Sequence, residues 1–411
     1  MTSAPVPTPD AGLRARTRVL TPRAEPLAAL PGPTNVLAWT RAGDGVVGWG
    51  EVARFEPAGP GRFAAADAWW REFVGGVEVR DEVGLPGTGP LAFVSMAFAD
   101  EPGRSVVVVP RVVVGRRGDT TWVTEFDPHE PAAPVQPVRR PSVPRYAEGE
   151  LSVSDYRAAV SEAVARMRAG AADKVVLAHD LTAHTDEPVD QRFLLHNLAA
   201  RYPGCWTFAV DGLVGATPEL LLRRGADLVT SRVLAGTTWP RAGASGDELA
   251  AELLASRKDR AEHEYAVRSL AEALRPFCAE LSVPDEPHVL RLPNVLHLAS
   301  DVSGRVREDA SLLRLAEAVH PTAAVGGTPT ADALRLITEL ERMDRGRYAG
   351  PVGWVDARGD GELGIALRCA EVDGAAVRLF AGCGIVADSD PDREVEEAAA
   401  KLRPIRDAME G

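Results

Sequence analysis

The chain has 411 residues, 45% of them apolar and 26% charged, with a formal net charge of -13. That apolar share at this length supports a large buried core. The acidic balance argues against nucleic acid or an anionic membrane as partner, since both select a basic face. Four scattered cysteines with no C-x-x-C pair argue against a disulfide framework or a zinc knuckle, and point to a reducing cytoplasm.

Residues 1–30, rich in Pro, Ala, Thr and Arg, lack the apolar stretch of a signal peptide and read as a disordered tail. No run of 18 apolar residues could span a bilayer. Residues 31–145 form an N-terminal β-rich part: alternating or apolar runs over 36–125 are broken by Gly, Asp and Pro, as in antiparallel hairpins. A Pro/Arg-rich stretch, 128–146, reads as a linker or surface crossing. A core over 146–411 follows. Its first helix is expected from Ser154, as N-cap, to Gly170, with Tyr156, Val160, Val164 and Met167 as the buried stripe. Strand-like runs come next, then a helical region over 247–277 interrupted near Ser256, where Ser256 and Asp259 resemble a capping box. Helices are expected at 309–319, 330–344 and 391–409, with three strands between the last two. Strands in consecutive runs favour an α+β fold with antiparallel sheets over a doubly wound parallel sheet.

Only three of the 46 basic residues are Lys: Lys174, Lys258 and Lys401. Lysine can lose its proton when buried and acts as a point charge, so positions where arginine cannot substitute are where it should persist. In the last predicted helix Glu394, Glu397 and Lys401 share one face, with Pro391 in its first turn. Asp259 and Glu262 form a second i,i+3 acidic pair, and the adjacent His263-Glu264 fails the H-E-x-x-H pattern because residue 267 is Val. Two such carboxylate pairs suit a hard cation such as Mg2+, and spacing alone also fits solvated helix faces. Gly382, Gly384 and Ala387 spell G-x-G-x-x-A, but Asp388 to Pro391 delay the helix that a dinucleotide fingerprint requires.

The strings "KVVLAHD", "ATPELLL", "LAGT", "KDRAEHEYAV", "LHLASDVSG", "HPTAAVGGTP", "DRGRYAGPVGW", "ALRCAEV" and "AGCGIVADSDPDREVEEAAAK" occur in this order over roughly residues 150–405. In this the chain resembles the chorismate-utilising enzymes. The resemblance implies two large antiparallel sheets packed as a sandwich with helices outside, completed by the N-terminal strands. It implies Lys174 as general base and Glu219 as general acid. Glu262 and Glu397 would be Mg2+ ligands, with Asp259 and Glu394 holding metal-bound waters. Gly236, Thr237 and His297 would contact the ring carboxylate of chorismate, and Tyr348, Arg368 and Gly382 its enolpyruvyl carboxylate. Lys401 would sit beside metal and substrate. His320 either orders a loop beneath the site or takes part in the chemistry. The chain departs from the family pattern at Ala398, often Thr, and at Cys383, usually Ala.

Within that family the chain is most similar to isochorismate synthases, of the menaquinone or siderophore type. The implied reaction adds water at C2 of chorismate and expels the C4 hydroxyl. A base must take a proton on one side and an acid must give one on the other, so Glu219 is expected to carry a raised pKa. The anthranilate synthase motifs "LVDLARND" and "LLES" are missing, and Ala235 stands where aminodeoxychorismate synthases carry a reactive Lys. Water is therefore the expected nucleophile and no glutaminase subunit is expected. Salicylate synthase, which goes on to eliminate pyruvate, is the alternative; an anthranilate synthase-like subunit and a non-catalytic paralogue follow it. A cytoplasmic monomer is expected.

Overall fold

Strands built from alternating or continuous apolar runs bury one or both faces, and here they pair into two large sheets. The computed structural model describes residues 12–21, 25–128, 134–239, 241, 243–292, 295–307 and 310–411. The side chains of Lys258 and Leu292 also lie outside the described residues.

The larger, 13-stranded sheet runs in the order Arg145–Glu148, Lys174–His184, Ala376–Val386, Cys369–Asp373, Leu213–Thr217, Trp206–Val210, Leu37–Arg41, Asp44–Trp49, Val112–Arg117, Thr120–Phe126, Arg14–Val19 and Glu78–Asp81. Gly327–Thr328 adds to the strand of Lys174. The second, 10-stranded sheet runs Cys278–Ser282, Val295–Val306, Leu228–Thr238, Leu220–Gly225, Gly361–Ile365, Pro351–Asp356, Leu91–Ser95, Val106–Val109 and Ala53–Phe55, with His288–Leu292 also on Val295–Val306. Pairing is antiparallel except between Arg14–Val19 and Glu78–Asp81. Strands from the first third of the chain thus extend both sheets: Thr40 pairs with Thr207 in one, and Val94 with Gly353 in the other.

The sheets enclose one apolar core. Trp39, Trp122 and Trp354 are fully buried there, and the Trp39 and Trp206 indoles both donate to Glu362 Oε2, at 2.9 and 3.1 Å. A buried carboxylate is tolerable only with such donors, and Arg223 adds a third at 3.0 Å.

The helices of the described residues are α1 (Arg62–Gly75), α2 (Val153–Arg168), α3 (Gln191–Arg201), α4 (Gly246–Ala255), α5 (Arg257–Leu274), α6 (Leu312–Val319), α7 (Thr330–Glu341) and α8 (Pro391–Glu410). Helix α2 buries the stripe expected of it, but its N-cap is Ser152, whose side chain accepts from the Asp155 amide. The interruption at Ser256 separates α4 from α5. Helix α6 starts at Leu312, capped by Ser311, and α7 ends at Glu341, where Arg342 turns left-handed at φ 51°. No helix of the described residues is long and apolar enough to cross a membrane.

Three expectations need correction. Arg14–Val19, placed in the tail, is a strand, because Ala15 and Thr17 reach the interior while the backbone pairs with Thr120–Phe126; residues 1–11 and 22–24 lie outside the described residues. Helix α1 interrupts the β-rich part, since Phe63, Ala66, Trp70 and Phe73 recur at helical spacing and are buried. Between α7 and α8 there are four strands rather than three, because the chain leaves one sheet after Ile365 and enters the other at Cys369.

Candidate active site

The catalytic, metal-binding and substrate-contact residues implied by the resemblance converge on one cleft of about 290 Å³, whereas Glu264 and His320 do not line it and the side chain of Lys258 lies outside the described residues. Lys174, Glu219, Gly236, Thr237, Asp259, Glu262, His297, Tyr348, Arg368, Gly382, Glu394, Glu397 and Lys401 all line it.

Its floor comes from one strand pair. Lys174–His184 and Ala376–Val386 are in register over eleven residues, with Val176 opposite Gly384 and Ala178 opposite Gly382. Side chains two apart share a face, so Gly382 and Gly384 leave a bare patch of backbone. A Cβ on Gly384 would stand 2.9 Å from Lys174 Cε, and one on Gly382 would stand 2.9 Å from the Tyr348 hydroxyl. Lys174 crosses this patch and pairs its Nζ with Glu262 Oε1.

Two walls are made where the chain changes sheet. Leu213–Thr217 belongs to the larger sheet and Leu220–Gly225 to the smaller, so Pro218 and Glu219 form the crossing. Glu219 is buried, its amide held by Thr217 Oγ1 at 3.2 Å. Burial pushes its carboxyl up to about 7, against the pull of Lys174 and Arg368. Arg368 lies at the other crossing, Ala366 to Arg368, with a left-handed φ of 48°. Tyr348 stacks on Phe380 at 5.2 Å between ring centres, and burial raises its phenol.

A bulge makes the third wall. The register between Leu228–Thr238 and Val295–Val306 slips at Gly236, whose φ of +76° suits glycine. A Cβ there would meet Asp259 Cβ at 3.0 Å. The bulge sets Thr237 Oγ1 3.0 Å from His297 Nδ1. Burial drives His297 down to about 3, reinforced by Arg368 and Lys401, so the ring is neutral at physiological pH.

Two helices supply the acids. Helix α5 presents Asp259, tied to the cap Ser256, and Glu262 one turn on. Helix α8 presents Glu394, Glu397 and Lys401 one turn apart. Lys401 Nζ bonds Glu397 Oε1 at 2.6 Å and the Gly382 carbonyl at 2.9 Å. Ser389 donates to Glu394 at 2.8 Å, yet burial and the adjacent Glu397 raise the Glu394 carboxyl. Among the described residues, Glu394, Glu397 and Cys383 offer ligand atoms within 4.8 Å of one another. Asp259 and Glu262 face the same cleft but stand outside that cluster. Cys383 is buried and its thiol is pushed up to about 12, so it stays protonated.

Sequence reasoning missed Arg345. It lines the cleft, is 4% exposed and forms a buried ion pair with Glu341. It also donates to the Val176 carbonyl at 2.6 Å and to Val325 at 3.0 Å, fixing the floor strand to the loop beside it. Arg345 lies beyond the end of α7 at Glu341, so no helical periodicity singled it out. His263, noticed as a failed metal motif, instead braces the bulge: its Nδ1 lies 3.2 Å from the Ala235 carbonyl and its Nε2 2.8 Å from Ser300 Oγ.

Residues 128–410 match a family model described as chorismate binding enzyme. The chain is 40% identical over 269 residues to isochorismate synthase DhbC of Bacillus subtilis, covering 62% of this chain and 67% of that protein. It is 37% identical over 341 residues to putative isochorismate synthase MenF of Mycobacterium tuberculosis, covering 79% and 87%. Among solved structures it is similar to a putative 2,3-dihydroxybenzoate-specific isochorismate synthase from Bacillus anthracis, with a TM-score of 0.76, 28% identity, and 93% and 98% of the two chains covered.

Proposed function

The chain belongs to the chorismate-binding enzyme family, and on that premise we propose that it is a Mg2+-dependent isochorismate synthase. In this reading water adds at C2 of chorismate and the C4 hydroxyl leaves. One observation carries it: a buried carboxyl, Glu219, able to hold a proton near neutral pH, opens on the same cleft as Lys174. An acid at a sheet crossing and a potential base at the start of a strand, both lining one cleft, suit a reaction that takes one proton and gives another.

The remaining residues suit a small dianion. Arg368 and Lys401 supply positive charge against the net acidity of the chain, and Thr237 with neutral His297 offers uncharged hydrogen bonds to a carboxylate. Tyr348, stacked and buried, keeps its proton and can donate. Lys174 takes the proton of the attacking water; Glu219 gives its proton to the departing oxygen.

The donor set fits a hard divalent cation. Glu394 and Glu397 converge on α8, and Asp259 and Glu262 face the same cleft from α5, all with oxygen ligands. Burial, and after it the adjacent Glu397, raises the Glu394 carboxyl, and a bound cation would relieve both. We assign Glu262 and Glu397 as direct ligands, with Asp259 and Glu394 holding its waters. When bound, Mg2+ supplies charge stabilisation to the ring carboxylate.

The test is chorismate incubated with the protein, with and without EDTA, and resolved by chromatography. Isochorismate that disappears with EDTA is expected. Salicylate with pyruvate would replace this reading by an eliminating enzyme, and a folded protein that leaves chorismate unchanged would sink it.

A further inference from the structure

Glu219 is a wall shared by two cavities. Behind it, away from the cleft, lies a second space of about 170 Å³ between the strands Leu220–Gly225 and Leu228–Thr238 and the covering helices α5 and α6. Most of its lining is apolar, but Ser231, Ser269, His320 and Thr322 also face it. His320 Nε2 lies 3.2 Å from the Phe98 carbonyl, which can only accept, so the ring proton sits on Nε2 and Nδ1 is a bare acceptor. Burial drives this histidine down to about 3, so that tautomer is neutral. Both His320 Nδ1 and Thr322 Oγ1 are buried with no hydrogen-bond partner among the described residues. Two orphaned polar atoms beside a space with room for several waters mark a hydrated cavity rather than an apolar void.

Resting on the proposed reaction, we infer that this cavity is a water-filled proton path that recharges Glu219, its water held by Thr322 and His320 as positioning residues. The proton count requires that Glu219 be reprotonated after each turnover. In each turnover the Glu219 O–H breaks, its proton joins the leaving C4 oxygen as water, and the C2–O bond forms from water deprotonated at Lys174. No proton is consumed overall: Lys174 ends with the proton taken from the attacking water and must release it to solvent through the cleft, while Glu219 ends ionised and a new O–H must form there at the expense of solvent. With substrate filling the cleft, the rear cavity supplies that proton without waiting for the front to reopen.

The test compares wild type with Thr322→Val, which removes the hydroxyl at constant shape, and Ala273→Leu, which fills the cavity from α5. Each variant is checked for folding by its melting temperature. The expected result is kcat lowered roughly ten-fold, as for an impaired proton transfer. KM for chorismate should stay constant, the solvent isotope effect on kcat should grow, and added imidazole should restore part of the rate. Unchanged kcat and isotope effect in both folded variants would overturn the path. So would a loss that shifts KM and ignores imidazole, because that is the signature of a deformed cleft. Wild type making no isochorismate would remove the proposed function and this path together, a failure distinct from those of the variants.

Discussion

Lys174 lies directly against Gly384, so close that a methyl group on the glycine would stand 2.9 Å from Lys174 Cε and 3.4 Å from Nζ. The lysine reaches across the cleft floor because Gly384, two residues before its cross-strand partner Val386, has no side chain to meet. Gly384→Ala should therefore displace the ammonium while leaving the strand pair intact. Isochorismate formation is expected to fall about 10- to 100-fold with little change in melting temperature, in line with the cost of misplacing a reacting group by about 1 Å. Steady-state kinetics beside thermal denaturation would check it; full activity would show that Lys174 has another path to the site.

Lys174→Arg keeps the charge and the ion pair with Glu262, but the guanidinium does not lose its proton. Turnover should drop by at least about 100-fold, the scale of general-base catalysis. Substantial retained turnover would remove Lys174 from the role of base.

In the proposed role of general acid, Glu219, with burial raising its carboxyl to about 7, would be active only while protonated. The rate should therefore fall as pH rises through about 7. His297, already neutral above about 3, adds no limb in the working range. A pH profile of kcat/KM in wild type would reveal the Glu219 limb, and a profile flat to pH 9 would contradict the assignment.

The same carboxyl has a stability consequence of opposite sign to the usual acidic group. Its folded-state value is raised from 4.5 to about 7, so the folded chain binds the proton more tightly than the unfolded chain. The resulting stability is fully present below about 4.5 and is lost as pH rises through about 7, by an amount on the order of 3 kcal/mol. Glu219→Gln escapes this loss. Its melting temperature should exceed that of wild type at pH 8.5 by several degrees more than at pH 5, although the proposed role predicts loss of activity. Equal differences at both values would show that the carboxyl is not buried as a charge.

Glu397→Gln removes one oxygen charge from the acidic face of α8 and leaves Lys401 without its 2.6 Å partner. Calorimetric titration with Mg2+ should show affinity weakened about ten-fold or more, while Glu396→Gln, exposed on the same helix, should leave it unchanged. Equal Mg2+ binding by both variants would move the metal away from α8.

Helix faces and cap residues were the legible part of the sequence. The Ser256 break, the face shared by Glu394, Glu397 and Lys401, and the stripe of α2 follow from local periodicity, and the structure contains each. The family resemblance brought Glu219, Arg368 and Gly236 into the candidate set, and local signals could not have done so. Their positions depend on two sheet crossings and a bulge, which are non-local pairings set by strand order. Arg345 was missed because its role is to join the ends of distant elements, and α1 because its paired tryptophans lie within an otherwise strand-like third of the chain.

The match to the family begins at residue 128, but the hydrogen bonding does not divide there. Cutting the chain at that point would strip Leu37–Arg41 from Trp206–Val210 and Leu91–Ser95 from Pro351–Asp356, leaving each sheet with a raw border of mostly apolar residues that are buried in the intact chain. Such borders recruit strands from other molecules. A fragment that keeps every proposed reacting group would therefore be expected to clump rather than work, and the first third of the chain serves as a built-in guard against self-association.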